Sequence, residues 1–224
     1  DASANNAPAL TVTVNGSAAD AHSITGSGEN DTITISGATT LAEAVDGGAG
    51  TDTLTMDIAN GFADTSNISN VEDITLDVDA GDSIEITDAA GLNDADVNNI
   101  TIGGGNSLSE FSFDAASELD QAGLETVDAS GFGGNIDLEL AAAAFTGGAA
   151  VSVTGTGASD DSLTVTTGNT TDGDLTLSAI ESLNIVEEAG TSELDASNFS
   201  GVETIALRTD QQLTLSSLAA GITV

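Results

Sequence analysis

Carboxylates in glycine-rich turns are the residues of this sequence with the clearest chemistry. The segment GGAGTDTLT (47–55) places Asp52 between a turn with three glycines and an alternating Thr/Leu run. Glycine permits backbone conformations that point carbonyl oxygens inward, and aspartate adds a hard carboxylate oxygen, so such a segment suits Ca²⁺. A similar turn precedes Asp31 in GSGENDTITI (26–35), 21 residues earlier, and a weaker one lies in GTGASDDSLTV (155–165).

The segment 47–55 matches the nonapeptide G-G-x-G-x-D-x-U-x, with Leu54 as the large apolar residue. In this it resembles the calcium-binding RTX repeats. The composition and a recurring apolar-Glu-x-apolar motif also resemble the bodies of bacterial S-layer and large surface proteins. The plain alternative is a Gly-Asp turn before a strand, because one full match and one or two variants are fewer than the tandem blocks typical of RTX proteins. The resemblance implies metal-site positions at Gly26, Gly28, Asn30, Asp31, Gly47, Gly48, Gly50 and Asp52. In the weaker turn the candidate metal ligands are Asp160 and Asp161.

Short alternating, β-branched segments bounded by Gly, Asn and Asp must position these turns. The sequence therefore predicts an all-β fold, a β-solenoid or β-roll-like stack whose coils bury their apolar faces on one another. A β-sandwich is the alternative. The predicted strands are 10–16, 31–37, 52–58, 72–78, 82–87, 98–105, 134–140, 150–157, 161–167, 173–179, 181–186, 202–208 and 212–217. Residues 1–9 are predicted to be a leader or linker, and 10–224 one repeat domain with a candidate division into two subdomains near 106–122.

The charge of the chain excludes several partners. There are 37 acidic residues against one basic residue, a formal charge of -36. Nucleic acids and anionic membrane surfaces are bound through Lys/Arg patches, so neither is an expected partner. No apolar run approaches the ~20 residues of a membrane span, so no membrane insertion is expected. The 39% hydrophobic content and the alternating runs argue against disorder.

Catalysis is not expected. The chain has no cysteine, lysine or tyrosine and no HExxH or GxSxG motif, although two-carboxylate glycosidase chemistry stays open. Four glutamates recur in the apolar-Glu motif and are predicted to be solvated positions at strand starts, and the single histidine is predicted to lie on the surface. The glutamates are Glu72, Glu125, Glu181 and Glu203, and the histidine is His22.

These observations predict a secreted structural protein at the cell surface or outside the cell. It would be a self-assembling surface-layer or filament subunit, stabilised by calcium, with partners that are further copies joined at strand edges and a cell-surface polysaccharide. One alternative is an adhesin module that recognises a host or mineral surface; flat Thr-rich faces would suit it, but no strictly repeated T-x-T array is apparent on one face. Another is an acidic halophile protein without specific calcium sites.

Overall fold

The chain folds as an all-β solenoid of about eight turns in a computed structural model. Every pairing between described strands is parallel. Consecutive partners therefore lie one coil apart, which confirms the solenoid and makes the sandwich alternative wrong. The structure describes residues 8–15, 23–38, 44–58, 61–94, 96–114, 117–145, 150–168, 175–189, 191–209 and 212–224. His22 and residues 1–7 of the predicted leader lie outside them.

The described strands form four parallel sheets. The first contains, in spatial order, β1 (Thr11–Asn15), β3 (Thr32–Ala38), β5 (Thr53–Ile58), β8 (Asp73–Val78), β10 (Asn99–Gly104), β12 (Thr126–Phe132), β14 (Val151–Thr154), β16 (Leu175–Ser178) and β19 (Phe199–Ser200). The second contains β6 (Gly61–Asp64), β9 (Ile84–Asp88), β11 (Glu110–Phe113), β13 (Asn135–Leu140), β15 (Ser162–Gly168), β17 (Ser182–Ala189) and β20 (Thr204–Thr209). The smaller sheets are β2 (Ser23–Thr25), β4 (Ala44–Asp46) and β7 (Ile68–Ser69), and β18 (Thr191–Asp195) with β21 (Gln212–Ser216). The helical elements among the described residues are two 3₁₀ turns, Ala142–Phe145 and Ala196–Asn198.

The core is a stack of apolar residues, one above another, inside the coils. Ile33, Leu54 and Ile74 are register partners on successive strands, and each is at most 1% exposed. Alternation places their neighbours in the strand on the outer face. A single coil cannot bury such a face alone, so stability comes from stacking coils into one continuous core.

Each of the thirteen predicted strands overlaps a strand of the structure, and five of the observed strands extend one to three residues beyond the predicted end. The prediction for 150–157 runs too far, because β14 ends at Thr154 where a glycine loop begins. Eight further strands within the described ranges were not predicted. Most of them are short. The longer strand β12 has the sequence TVDASGF, in which Asp, Ser and Gly interrupt the alternation of apolar and polar residues.

The sequence gives the segment near 106–122 as a candidate division between two subdomains. The parallel ladder of the first sheet continues across this segment. Strands β10 and β12, on either side of it, pair directly. Buried residues from both sides, such as Ile100 and Leu138, belong to the same core. The division stays a prediction.

Candidate metal site

Three glycine-rich loops, 26–31, 47–52 and 155–161, lie between strands of adjacent sheets. The first glycine of each loop is required by stacking. A Cβ atom on Gly26 would lie 1.8 Å from the carbonyl oxygen of Gly47, and one on Gly47 would lie 1.9 Å from that of Asn70. The same holds for Gly155 against Ala179, at 1.8 Å. Close approach of the next coil therefore accounts for these glycines without an ion.

Asp31 is a buried backbone cap. Its Oδ1 accepts hydrogen bonds from the N–H of Leu10 at 2.5 Å and from the hydroxyl of Ser27 at 3.0 Å. Its Oδ2 accepts from the N–H of Ser27. Burial raises the pKa of Asp31, but the hydrogen bonds from Ser27 and Leu10 outweigh it and hold that pKa below 3.8, its usual value. Both carboxylate oxygens are thus occupied by donors of the protein.

Asp161 repeats this arrangement in the third loop. Its Oδ2 accepts from the N–H of Thr156 at 2.7 Å and from the Thr156 hydroxyl at 2.8 Å. Its Oδ1 accepts from the N–H of Ile136 on the preceding coil at 3.1 Å. Asp161 is fully buried, whereas its neighbour Asp160 is exposed. The two adjacent aspartates therefore have different surroundings.

Asp52 departs from the pattern. Its Oδ1 accepts from the N–H of Asp31 at 2.7 Å, but its Oδ2 is buried and has no hydrogen-bond partner. The residue that corresponds to Ser27 is Gly48, which has no hydroxyl and donates its N–H to Asp46 Oδ1 instead, at 3.1 Å. Burial therefore raises the pKa of Asp52 above 3.8, and the charges of Glu72, Asp31 and Asp46 add to this, against the lowering effect of the Asp31 N–H.

Two of the recurring glutamates also cap the preceding coil. Glu72 Oε2 accepts from the N–H of Asp52 at 2.5 Å, and Glu181 Oε2 accepts from that of Asp161 at 3.1 Å. The sequence predicted only solvated positions for these glutamates, so their capping role is a correction. The available signal was the spacing, since each glutamate follows a loop aspartate by 20 residues. Glu125 and Glu203 are exposed, as predicted.

A second concentration of carboxylates lies at the ends of β5 and β8. Asp57 and Asp77 are register partners there. The pKa of Asp79, which follows β8, is raised by the charge of Asp57 first, then by partial desolvation and by Asp82 and Asp77. Repulsion between carboxylates is thus built into the stacked coils, in addition to the overall charge.

The predicted metal residues fit an ion unequally. One carboxylate oxygen of Asp52 accepts no hydrogen bond. Both carboxylate oxygens of Asp31 and of Asp161 accept hydrogen bonds from N–H or hydroxyl groups of the protein. Asn30 Oδ1 accepts from the N–H of Thr51 at 3.0 Å. Among the described residues, no three Asp, Glu or His side chains form a metal-binding group. The fit to calcium is therefore limited to the loop 47–52, and the ion stays a prediction.

Comparison with known proteins gives no match: no family model, no curated protein and no solved structure is similar to the chain. The likeness to RTX and S-layer proteins depends on the motifs alone. None of the helices in the described ranges has the length and apolar character needed to cross a bilayer.

Proposed function

We propose that this chain is a structural, self-assembling unit of an extracellular surface layer or filament, stabilised by calcium. The observation that carries the proposal is the unbroken parallel ladder from β1 to β19, backed by one core. Stacked coils that each contact only their neighbours make a rigid, extended body. Such a body suits a load-bearing or spacing role in a secreted protein at the cell surface.

Charge supports the calcium part of the proposal. A formal charge of -36 opposes compaction, and the carboxylates of the 46–52 loop repel one another. Asp52 is the residue that would hold the ion, since its Oδ2 lacks a donor. Bound calcium would supply positive charge beside Asp46 and Glu72, which raise the pKa of Asp52.

The architecture of parallel sheets supports the self-assembly part of the proposal. Edge strands carry N–H and C=O groups that can pair with another chain, and natural proteins protect such edges with lysine or proline. This chain has no lysine and one proline. Head-to-tail strand addition between copies is a heterologous contact and gives open filaments when the rotation does not close. A cell-surface polysaccharide is the second proposed partner.

Electron microscopy and light scattering of the purified chain test the proposal. Samples with calcium, with chelator and with KCl at matched ionic strength are compared. Ordered sheets or fibres in calcium are expected, with less assembly in chelator because repulsion then opposes contact between copies. Dispersed monomers in all three conditions would contradict the structural role.

A second candidate function is an adhesin module that binds a regular surface. It is favoured by the outer face of the first sheet, where hydroxyl side chains lie in register on successive strands. The third candidate, an acidic halophile protein, requires stabilisation by KCl alone, which thermal melts in calcium, in chelator and in KCl report. The absence of catalysis stays an expectation.

A further inference from the structure

The outer face of the first sheet carries two rows of threonines. In the longer row each threonine is the register partner of the next: Thr13, Thr34, Thr55, Thr75 and Thr101. The row beside it begins with Thr11, Thr32 and Thr53. These eight residues are called the threonine array here. They show that the expectation of no repeated T-x-T array on one face is wrong for the first three coils.

The threonines lie on the side of the sheet opposite the core. Residues that alternate with them, such as Ile33 and Leu54, are completely buried. Thr13 and Thr101 are exposed, and Thr34, at the centre of the array, is half-buried between its neighbours. The array is therefore an outer surface of the sheet.

Strand geometry makes this surface a two-dimensional lattice. Neighbouring strands lie about 4.8 Å apart, and residues i and i+2 of one strand lie about 6.6 Å apart. The five threonines of the longer row therefore span roughly 19 Å. Pairing is one-to-one at every array position from β1 to β10. Threonine is β-branched and stiff at χ1, so its hydroxyl and methyl groups are held in regular positions.

The array is uncharged in a chain of high negative charge. Of 224 residues 37 are acidic, and the array interrupts this charge with eight neighbouring neutral side chains. Charge begins at the border of the array. Asp73 follows Thr53 in the shorter row, and Asp128 follows Thr101 in the longer row. Asp57 and Asp77 lie on the same face, two residues beyond Thr55 and Thr75. A regular, neutral lattice of hydroxyl and methyl groups fits a partner that is itself a regular, neutral lattice of oxygen atoms.

We propose that the threonine array binds the surface of crystalline water. The oxygen atoms of an ice face repeat in two dimensions over distances of the same order as the threonine spacings. Each hydroxyl can share hydrogen bonds with a lattice water, and each methyl can order the water around it. Many weak contacts from one rigid surface give a high overall affinity, because the first contact holds the other threonines close to the lattice.

Other occupants fit the array less well. A cationic mineral face would be met by carboxylates, and on this face Asp57, Asp77 and Asp128 lie at the border of the array and not within it. Polysaccharide sites commonly use aromatic platforms, and none of the array positions is aromatic. A second copy would bring a second charge of -36 to the contact. The proposal goes beyond the structural role and requires neither calcium nor self-assembly.

The test measures inhibition of ice recrystallisation and the partition of the protein into slowly growing ice, at one fixed calcium concentration. The native chain is expected to slow grain growth and to enter the ice. Thr34→Tyr places a bulky side chain at the centre of the array and suits a strand. It is expected to need at least about tenfold more protein for the same inhibition, which corresponds to about 1.4 kcal/mol.

Thr164→Tyr is the matched control, because Thr164 is a half-buried threonine on β15, in the interior of the second sheet. It is expected to act like the native chain. Thr34→Ser keeps the hydroxyl, removes one methyl and is expected to have an intermediate effect, so the test stands even if the tyrosine variant fails to fold. Circular dichroism checks that each variant is folded.

Three results would overturn the proposal. One is a folded native chain that neither slows recrystallisation nor enters ice. Another is an equal loss in Thr34→Tyr and Thr164→Tyr, since the effect would then not belong to the array. The third is a native dimer in sedimentation that Thr34→Tyr converts to a monomer, which would assign the array to contacts between copies. Each of these results can be read whether or not the chain forms sheets or fibres in the electron microscopy experiment.

Discussion

The backbone N–H of Asp31 donates to Oδ1 of Asp52, 2.7 Å away and one coil further along the solenoid. The two aspartates occupy the same position of one repeated motif, yet their pKa values shift in opposite directions. Besides the carboxylates near Asp52, the residue that follows the first glycine of each loop differs. Ser27 donates its N–H and its hydroxyl to Asp31, whereas the corresponding Gly48 directs its N–H to Asp46.

Asp31→Asn is expected to lower the free energy of unfolding by roughly 1 to 3 kcal/mol at pH 7, the usual cost of leaving buried donors unsatisfied. An amide NH₂ group in place of one carboxylate oxygen would face the N–H groups of Leu10 or Ser27. Urea unfolding measures the change. Asp160→Asn, at an exposed position, is the control and should change stability little. An unchanged midpoint for Asp31→Asn would show that the cap contributes nothing.

Asp52→Asn is expected to raise the free energy of unfolding in chelator, the opposite of the effect expected for Asp31→Asn. The substitution removes a buried charge whose Oδ2 has no partner, while the amide oxygen can still accept from Asp31. A gain of about 1 kcal/mol is expected from relief of that desolvation. In calcium the same variant should lose stability if Asp52 holds the ion. A variant more stable in both solutions would assign Asp52 to the turn alone.

Calcium itself is expected to raise the melting temperature of the native chain. A ligand that binds only the folded state at about 100 times its Kd adds roughly 2.7 kcal/mol. Thermal melts in calcium, in chelator and in KCl of equal ionic strength separate specific binding from screening. Equal melting temperatures in all three solutions would remove calcium from the proposed function.

Gly47→Ala is expected to destabilise the fold by several kcal/mol, because the new Cβ would meet the backbone carbonyl of Asn70 at 1.9 Å. Gly157→Ala is the matched control in the equivalent third loop, since a Cβ there has no atom within 4 Å. The loss should be the same in calcium and in chelator, because stacking of the coils is its cause. A loss seen only in calcium would instead assign this glycine to an ion site.

Stability in chelator is expected to rise as the pH falls from 7 toward mildly acidic values. The folded state raises the pKa values of Asp52, Asp79 and Glu139 above their usual values of 3.8 for Asp and 4.5 for Glu. At a pH above those usual values, the folded state therefore binds more protons than the unfolded state, so stability rises as the pH falls. The lowered pKa of Asp31 acts in reverse, and its contribution is lost below 3.8. Melting temperatures from pH 7 to 3 should therefore pass through a maximum. A steady fall on acidification would contradict these directions.

The strands were largely predictable because alternation of apolar and polar residues is a local signal. Segments such as DTITISG and DTLTMDI carry it in full. The caps were less predictable, since Glu72 acts on a residue 20 positions away. The threonine array was missed for the same reason: Thr55, Thr75 and Thr101 are separated by unequal intervals, and only the register of the coils aligns them.

The series of carboxylate caps gives the solenoid a direction. Glu72 accepts from the N–H of Asp52, Asp52 from that of Asp31, and Asp31 from that of Leu10. In this series a backbone N–H of one coil is therefore satisfied by a side chain from the coil that follows it. Loss of one carboxylate therefore leaves an unsatisfied N–H in the coil on its N-terminal side. Loss of the Asp52 carboxylate should therefore weaken the coil on its N-terminal side first. Hydrogen exchange should become faster at the amide of Asp31, which loses its acceptor, before it becomes faster at the amide of Thr53.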